Sequence, residues 1–261
     1  RYVPATGSGG FRQGSPEGER GTINVDEATW QATLTRALFV GRTEVTQGQW
    51  RQASGFTNPS YFQNTTCVRG DCSSSENANN SAPVERVDWY SAVAYANWLS
   101  RNDGDPATSP CYVFTGRWDE TTLNWADGDS ANTGPGESAA SGVTWSGVTC
   151  SGYRLLTESE WEWAARAPVA EAELTDSVYW GTLSEGDHAW VRANSGARTH
   201  AVDSEPRRPN GYGLQDMIGN VWEWVWDAYS ATYPSSGTDP VLSTGASGRV
   251  HRGAGYYSQS T

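Results

Sequence analysis

The chain has 261 residues, in which 18 basic side chains, all of them arginine, face 30 acidic ones for a formal net charge of −12. That balance leaves no cationic face for a phosphate backbone, so no nucleic-acid partner is expected, and the missing lysine excludes Schiff-base and P-loop lysine chemistry. No apolar run approaches the about 20 residues of a membrane-spanning helix. Nothing Ser/Pro-rich divides the chain either, so residues 1–261 read as one domain.

After a glycine-rich opening, residues Phe39–Val45 read as a short strand running into a helix. Thr46 and Gln49 form a capping box for that helix, which carries Trp50. Residues 58–81 are a polar loop with Cys67 and Cys72 and two glycosylation-type triplets, at Asn64 and Asn79, of a kind that is more often just solvated loop asparagine. Asp88 is placed to cap a second helix whose inner stripe is Ala92, Tyr95, Ala96 and Leu99. Residues 102–151 read as a long irregular insert, with short strands at Tyr112–Phe114 and around Trp145. Thr157 and Glu160 form a second capping box, and Trp161, Ala164 and Ala165 give the third helix its inner face. Glu158, Glu160 and Glu162 resemble a catalytic cluster, but capping and the positive end of the helix dipole account for them.

Four cysteines, all in loops, read as two disulfides, Cys67–Cys72 and Cys111–Cys150, and hence as an exported, extracytoplasmic protein. Other pairings remain open. A zinc site is the weaker reading, because the spacing is not C-x2-C and His188, His200 and His251 are far apart in sequence.

Residues 210–227 organise the rest. From Val221 to Asp227 the chain alternates, with Trp222, Trp224 and Trp226 on one face of a strand expected in the main core. Gly211, Gly213 and Gly219 permit a tight reversal just before it. Asp216 and Glu223 flank the last of these glycines, and oxygen ligands around a turn suit Ca²⁺. The alternative is that Glu223 pairs with a buried arginine such as Arg154 or Arg166.

Six ordered motifs, at Glu44–Trp50, Pro83–Trp89, Tyr153–Arg166, Asn210–Met217, Gly219–Trp224 and Arg249–Gly253, together resemble the formylglycine-generating enzyme (sulfatase-modifying factor) family over nearly the whole chain. The resemblance implies an α+β fold, an irregular variant of the C-type lectin fold with short strands, a few helices and long loops. It implies a structural Ca²⁺ held by side-chain oxygens of Asp216 and Glu223 and by the carbonyls of Gly219 and Val221. It also puts Ser258 where the first copper-binding cysteine of the generating enzymes stands, with the second falling beyond Thr261. Serine cannot replace a thiolate toward Cu(I), so no copper is expected.

Relatives continue to a closing strand, so the chain is expected to lack that C-terminal strand or to receive it from a second polypeptide. Two functional classes follow from the resemblance. The first is a non-catalytic module whose Tyr256, Tyr257 and Ser258 contact a protein, peptide or glycan ligand. Their low-entropy aromatic and small polar character suits recognition, and in some relatives this segment is the diversified surface of ligand-binding proteins made by mutagenic retroelements. The second is an exported tailoring oxidase acting on a peptide or siderophore-like substrate. No catalytic residues can be named for it from the sequence. Core packing accounts for the 14 tryptophans better than sugar stacking does.

Overall fold

Three helices begin where side chains satisfy their first backbone N–H groups. In a computed structural model, which describes residues 1–14, 29–53, 57–63, 80–114, 118–119, 124–125, 142–167, 189–204, 208–230, 236–243 and 248–259, α1 (Gln47–Gln52) opens on the Thr46/Gln49 capping box and α3 (Glu158–Arg166) on the Thr157/Glu160 box. Helix α2 (Trp89–Asn102) is capped by Asp88, whose side chain accepts from the Ser91 N–H. All three caps follow the sequence expectation, because each needs only residues three apart.

The strands are short. β1 (Tyr2–Val3) pairs antiparallel with β4 (Leu38–Phe39), and β3 (Trp30–Thr33) lies between antiparallel β2 (Phe11–Gln13) and parallel β10 (Ser236–Thr238). β5 (Tyr112–Phe114) and β8 (Val143–Trp145) are the two short strands expected from the sequence, and they pair with Tyr112 opposite Trp145. β6 (Trp118–Asp119) pairs with β7 (Asn124–Trp125), and β9 (Glu223–Ala228) with β11 (Arg249–Arg252) across a register shift between Arg249 and His251. The mixture of short strands, few helices and long connections is α+β.

The structure corrects several expectations. Strand pairing near Phe39 ends at that residue, so Val40–Val45 is not a strand, although Val40 and Val45 pack against core clusters and Glu44 is buried. Helix α2 buries more than one stripe. Trp89, Val93 and Ala96 pack with Tyr112, Val143 and Trp226, while Ala94 and Tyr95 pack with Trp50 on another side, and Ala92 and Leu99 are only partly covered. Asn97, fully buried between them, exchanges hydrogen bonds with the N–H and C=O of Tyr112 and so fixes β5 against the helix. The indole row of 222–226 is also not uniformly buried. β9 starts only at Glu223, Trp222 is 52% exposed, and Trp226 alone of the three enters the core, within 5.2 Å of Trp89 and Tyr112 and 5.0 Å of Trp145. Beside Trp226 the buried Arg249 guanidinium lies 3.8 Å from the Trp89 ring centre and donates to the Trp226 carbonyl.

Cys111 and Cys150 form a disulfide, S–S 2.04 Å, that closes the insert onto α2 and β5. Cys67, Cys72, Asn64, Asn79 and His188 lie outside the described residues.

The three glutamates of α3 do more than favour the helix dipole. Glu160 is held by both terminal nitrogens of Arg154, at 2.6 and 2.7 Å. Glu162 accepts from Arg166 at 2.8 Å, from Arg252 at 2.9 Å and from the Gly14 N–H at 2.8 Å, while Arg252 also reaches Glu158 at 3.1 Å. One buried carboxylate thereby joins α3, β11 and the end of β2. Burial alone would push the Glu162 carboxyl up, but Arg252 and Arg166 outweigh it and hold it below the usual range. We expect Glu162→Gln to cost about 3 kcal/mol, the lower end for breaking a buried pair because Arg252 is partly exposed. The stabilisation from Glu162 is complete above the ordinary carboxylate value of 4.5 and is lost as pH falls through the lower folded value. Urea titrations of both proteins should therefore differ most near neutrality and converge in acid.

Candidate functional site

The chain reverses at Gly219, which has φ +86°; a Cβ there would lie 2.5 Å from the Trp190 carbonyl oxygen. Only glycine tolerates both conditions. The reversal is then tied in four directions. The Gly219 N–H donates to the Gly253 carbonyl at 2.7 Å and the Asn220 N–H to the Trp190 carbonyl at 2.8 Å. The fully buried Asn220 side chain accepts from the His200 N–H at 2.9 Å and donates to the Glu44 carboxylate at 2.8 Å. Glu44 also accepts from the Val221 N–H at 3.1 Å.

Around this turn lie three acids, Glu44 and Asp216 buried and Glu223 partly so. Asp216, itself at φ 57°, is 3% exposed, and the Asp203 N–H points at it from 3.4 Å. Glu223 accepts from the Trp161 indole N–H at 2.6 Å. Burial, and to a lesser degree Asp216, pushes the Glu223 carboxyl up to about 7. Glu44 is raised well above its ordinary value by burial and by repulsion from Asp216 and Glu223. The alternative pairing of Glu223 with Arg154 or Arg166 does not form, since Arg154 is taken by Glu160 and Arg166 by Glu162. Among the described residues no three His, Cys, Asp or Glu side chains converge as a ready-made metal cluster. The two side chains expected as metal ligands, Asp216 and Glu223, flank the turn, with Gly219 and Val221 between them in the chain. Buried carboxylates that repel one another and flank a tight turn fit a hard divalent cation, which would offset that repulsion.

The same turn carries the C-terminal segment. The Tyr256 N–H donates to the Asn220 carbonyl at 2.7 Å, the Ser195 hydroxyl donates to the Tyr256 carbonyl at 2.7 Å, and the Arg192 N–H donates to the Ser258 carbonyl at 3.0 Å. Ser258 turns its hydroxyl back to accept from the Gly255 N–H at 3.0 Å. Trp222 lies against Gly255, where a Cβ would come within 3.2 Å of the indole. Trp222 in turn packs on the edge of His251, ring centres 4.6 Å apart. Tyr256 packs on Phe62, whereas Tyr257 is 51% exposed. Trp222, His251, Tyr256, Tyr257 and Ser258 line an open groove together with Glu85 and Arg86.

Sequence reasoning placed Asp216, Gly219, Val221 and Glu223 in one turn and Tyr256, Tyr257 and Ser258 in one segment, and the structure brings the two groups together through Asn220. It missed the contacts of Glu44, which opens one of the family motifs, and of Arg192, since they span 176 and 66 positions. Gly219→Ala should destabilise the protein by about 3 kcal/mol or more, through both the disallowed φ and the contact with Trp190. A chemical-denaturation midpoint unchanged from the wild type would refute this account of the turn.

Residues 5–261 match the model of the sulfatase-modifying factor enzyme 1-like domain. The chain is 30% identical over 212 residues to a chaperone protein LppX of Paenibacillus barcinonensis, covering 74% of this chain and 63% of that protein. It is 35% identical over 127 residues to a formylglycine-generating enzyme of Streptomyces coelicolor, covering 44% of this chain and 40% of the enzyme. The chain therefore spans less than two thirds of the length of either relative. Among solved structures, Treponema denticola variable protein 1 superposes with a TM-score of 0.70 at 28% identity, over 99% of this chain and 84% of that one.

Proposed function

The chain belongs to the sulfatase-modifying factor enzyme 1-like family, and from that premise we propose that it is an extracytoplasmic, non-catalytic binding module whose ligand contacts Tyr256, Tyr257 and Ser258. The observation that carries this reading is the division of labour within that segment. Its main chain is fixed to the frame at Asn220, Ser195 and Arg192, while Tyr257 projects into solvent at the groove. A rigid backbone presenting low-entropy aromatic side chains is what a recognition surface needs, because little freedom remains to be lost on binding. Likeness to a variable protein over almost the full chain, and to a protein named as a chaperone, supports binding.

Ser258 supports the absence of thiol chemistry at this place. A hydroxyl that accepts from Gly255 is neither a soft ligand for Cu(I) nor a nucleophile with a base beside it. We propose that Ca²⁺ occupies the Asp216–Glu223 turn, held by the carboxylates of those two residues and the carbonyls of Gly219 and Val221. There it would neutralise the buried acids and stiffen the reversal that carries the Tyr256 segment. The Cys111–Cys150 disulfide supports an oxidising, extracytoplasmic location.

Two experiments test these proposals. Incubation with copper, oxygen and a cysteine-containing sulfatase peptide should give neither oxygen uptake nor loss of the peptide thiol. Turnover in that assay, or oxygen uptake with a peptide or siderophore substrate, would favour a tailoring oxidase instead. Chelation should lower the melting temperature, and added Ca²⁺ should restore it in the wild type but not in Asp216→Asn or Glu223→Gln. A chelator-insensitive transition together with no metal by elemental analysis would dismiss the cation.

A further inference from the structure

Beside the proposed binding segment, four aromatic rings form an unbroken row. Tyr61 and Phe62 lie 5.0 Å apart, Phe62 and Tyr256 5.2 Å, and Tyr256 and Tyr257 6.2 Å. Each end carries a guanidinium. Arg86 sits 4.7 Å over the Tyr61 ring, and Arg192 sits 4.8 Å over the Tyr257 ring. Both arginines are exposed. Arg86 has one loose acidic neighbour, Glu85 at 3.9 Å, and that carboxylate already accepts from the Phe62 N–H at 2.7 Å. On a chain of net charge −12, two solvent-facing arginines bracketing one aromatic row are a local reversal of sign.

Ring orientation decides what such a row can hold. Successive interplanar angles are 87°, 85° and 60°, so neighbouring rings share no plane and offer no flat platform for a sugar. The two terminal tyrosines also have guanidiniums stacked over one face, where a pyranose would need to lie. What remains open is the edge of each planar guanidinium, a fork of N–H donors matched to a carboxylate. Stacking on a ring pre-organises that fork and lowers the entropy lost when it pairs. Tyrosine and arginine together are also the residue types that dominate protein–protein hot spots.

Resting on the binding-module reading above, we infer that the ligand is an acidic polypeptide segment, whose carboxylates pair with Arg86 and Arg192 while its apolar side chains pack on Tyr256 and Tyr257. The two guanidiniums would fix the register of that segment, while the acidic remainder of the chain would repel it from other places on the surface.

The test uses the full chain and a phage-displayed random dodecapeptide library. Selected peptides should be enriched in Asp and Glu, and their affinity should fall steeply with added salt. Arg86→Gly combined with Arg192→Ala should weaken them by about tenfold or more. Arg86 has φ 61°, which glycine adopts freely, so that substitution relieves the backbone rather than straining it; an unchanged melting temperature confirms the fold. Tyr256→Ala with Tyr257→Ala should weaken the same peptides at every salt concentration. Peptides that depend on the tyrosines but show no acidic bias would overturn the inference and leave the binding-module reading standing. Arginine-dependent capture of heparan sulfate in preference to any peptide would overturn it in favour of a glycan. Failure to select any tyrosine-dependent binder would sink both the inference and the reading it rests on.

Discussion

The structure depends on one buried amide. Asn220 has no exposed surface, yet its side chain and backbone engage Glu44, His200, Trp190 and Tyr256, four parts of the chain that share no regular secondary structure with it. In a fold whose strands run two to six residues, ladder hydrogen bonds alone cannot fix the long connections against one another. A polar hub does this instead, because a buried amide that loses a partner incurs a desolvation penalty of about 1–3 kcal/mol per group. Each of the four segments is therefore held to the position that keeps the network satisfied.

That arrangement explains why acids collect at the turn. Glu44 is recruited as an acceptor for the Asn220 amide and the Val221 N–H, which brings a third carboxylate near Asp216 and Glu223. Elsewhere in the same core the opposite solution is used. Glu158, Glu160 and Glu162 each face an arginine, and Arg249 lies between Trp89 and Trp226. With lysine absent, every buried carboxylate that is paired is paired through a guanidinium, whose planar fork can satisfy two oxygens or stack on an indole at once.

What the sequence made legible follows from the range over which each signal acts. The capping boxes at Thr46 and Thr157 and the Asp88 cap need residues three apart, and all three form. The α+β class and family membership were readable because six motifs carry them in order. Periodicity failed where a segment touches two environments. The alternation of 221–227 does not separate Trp222, which lies outside β9 against Gly255 and His251, from Trp226, which is core. Helix α2 is similar, since clusters on two sides bury more of it than a single stripe. The site was half legible: its turn and its terminal segment are local, but the partners that hold them are distant in the chain, Glu44 in a motif that does not reveal its contact and Trp190, Ser195 and Arg192 outside any motif.

One feature of the terminal segment bears on how such a surface can change. Residues 256 and 258 are anchored to the frame chiefly through main-chain amide and carbonyl groups, with the Ser258 hydroxyl and the Tyr256 ring adding contacts to Gly255 and Phe62. At position 257, where the side chain faces solvent, an exchange alters the contact chemistry without touching a single anchoring bond. The scaffold thus separates the bonds that hold its main chain from the side chain it presents outward, so exchanges at that position carry little risk to folding.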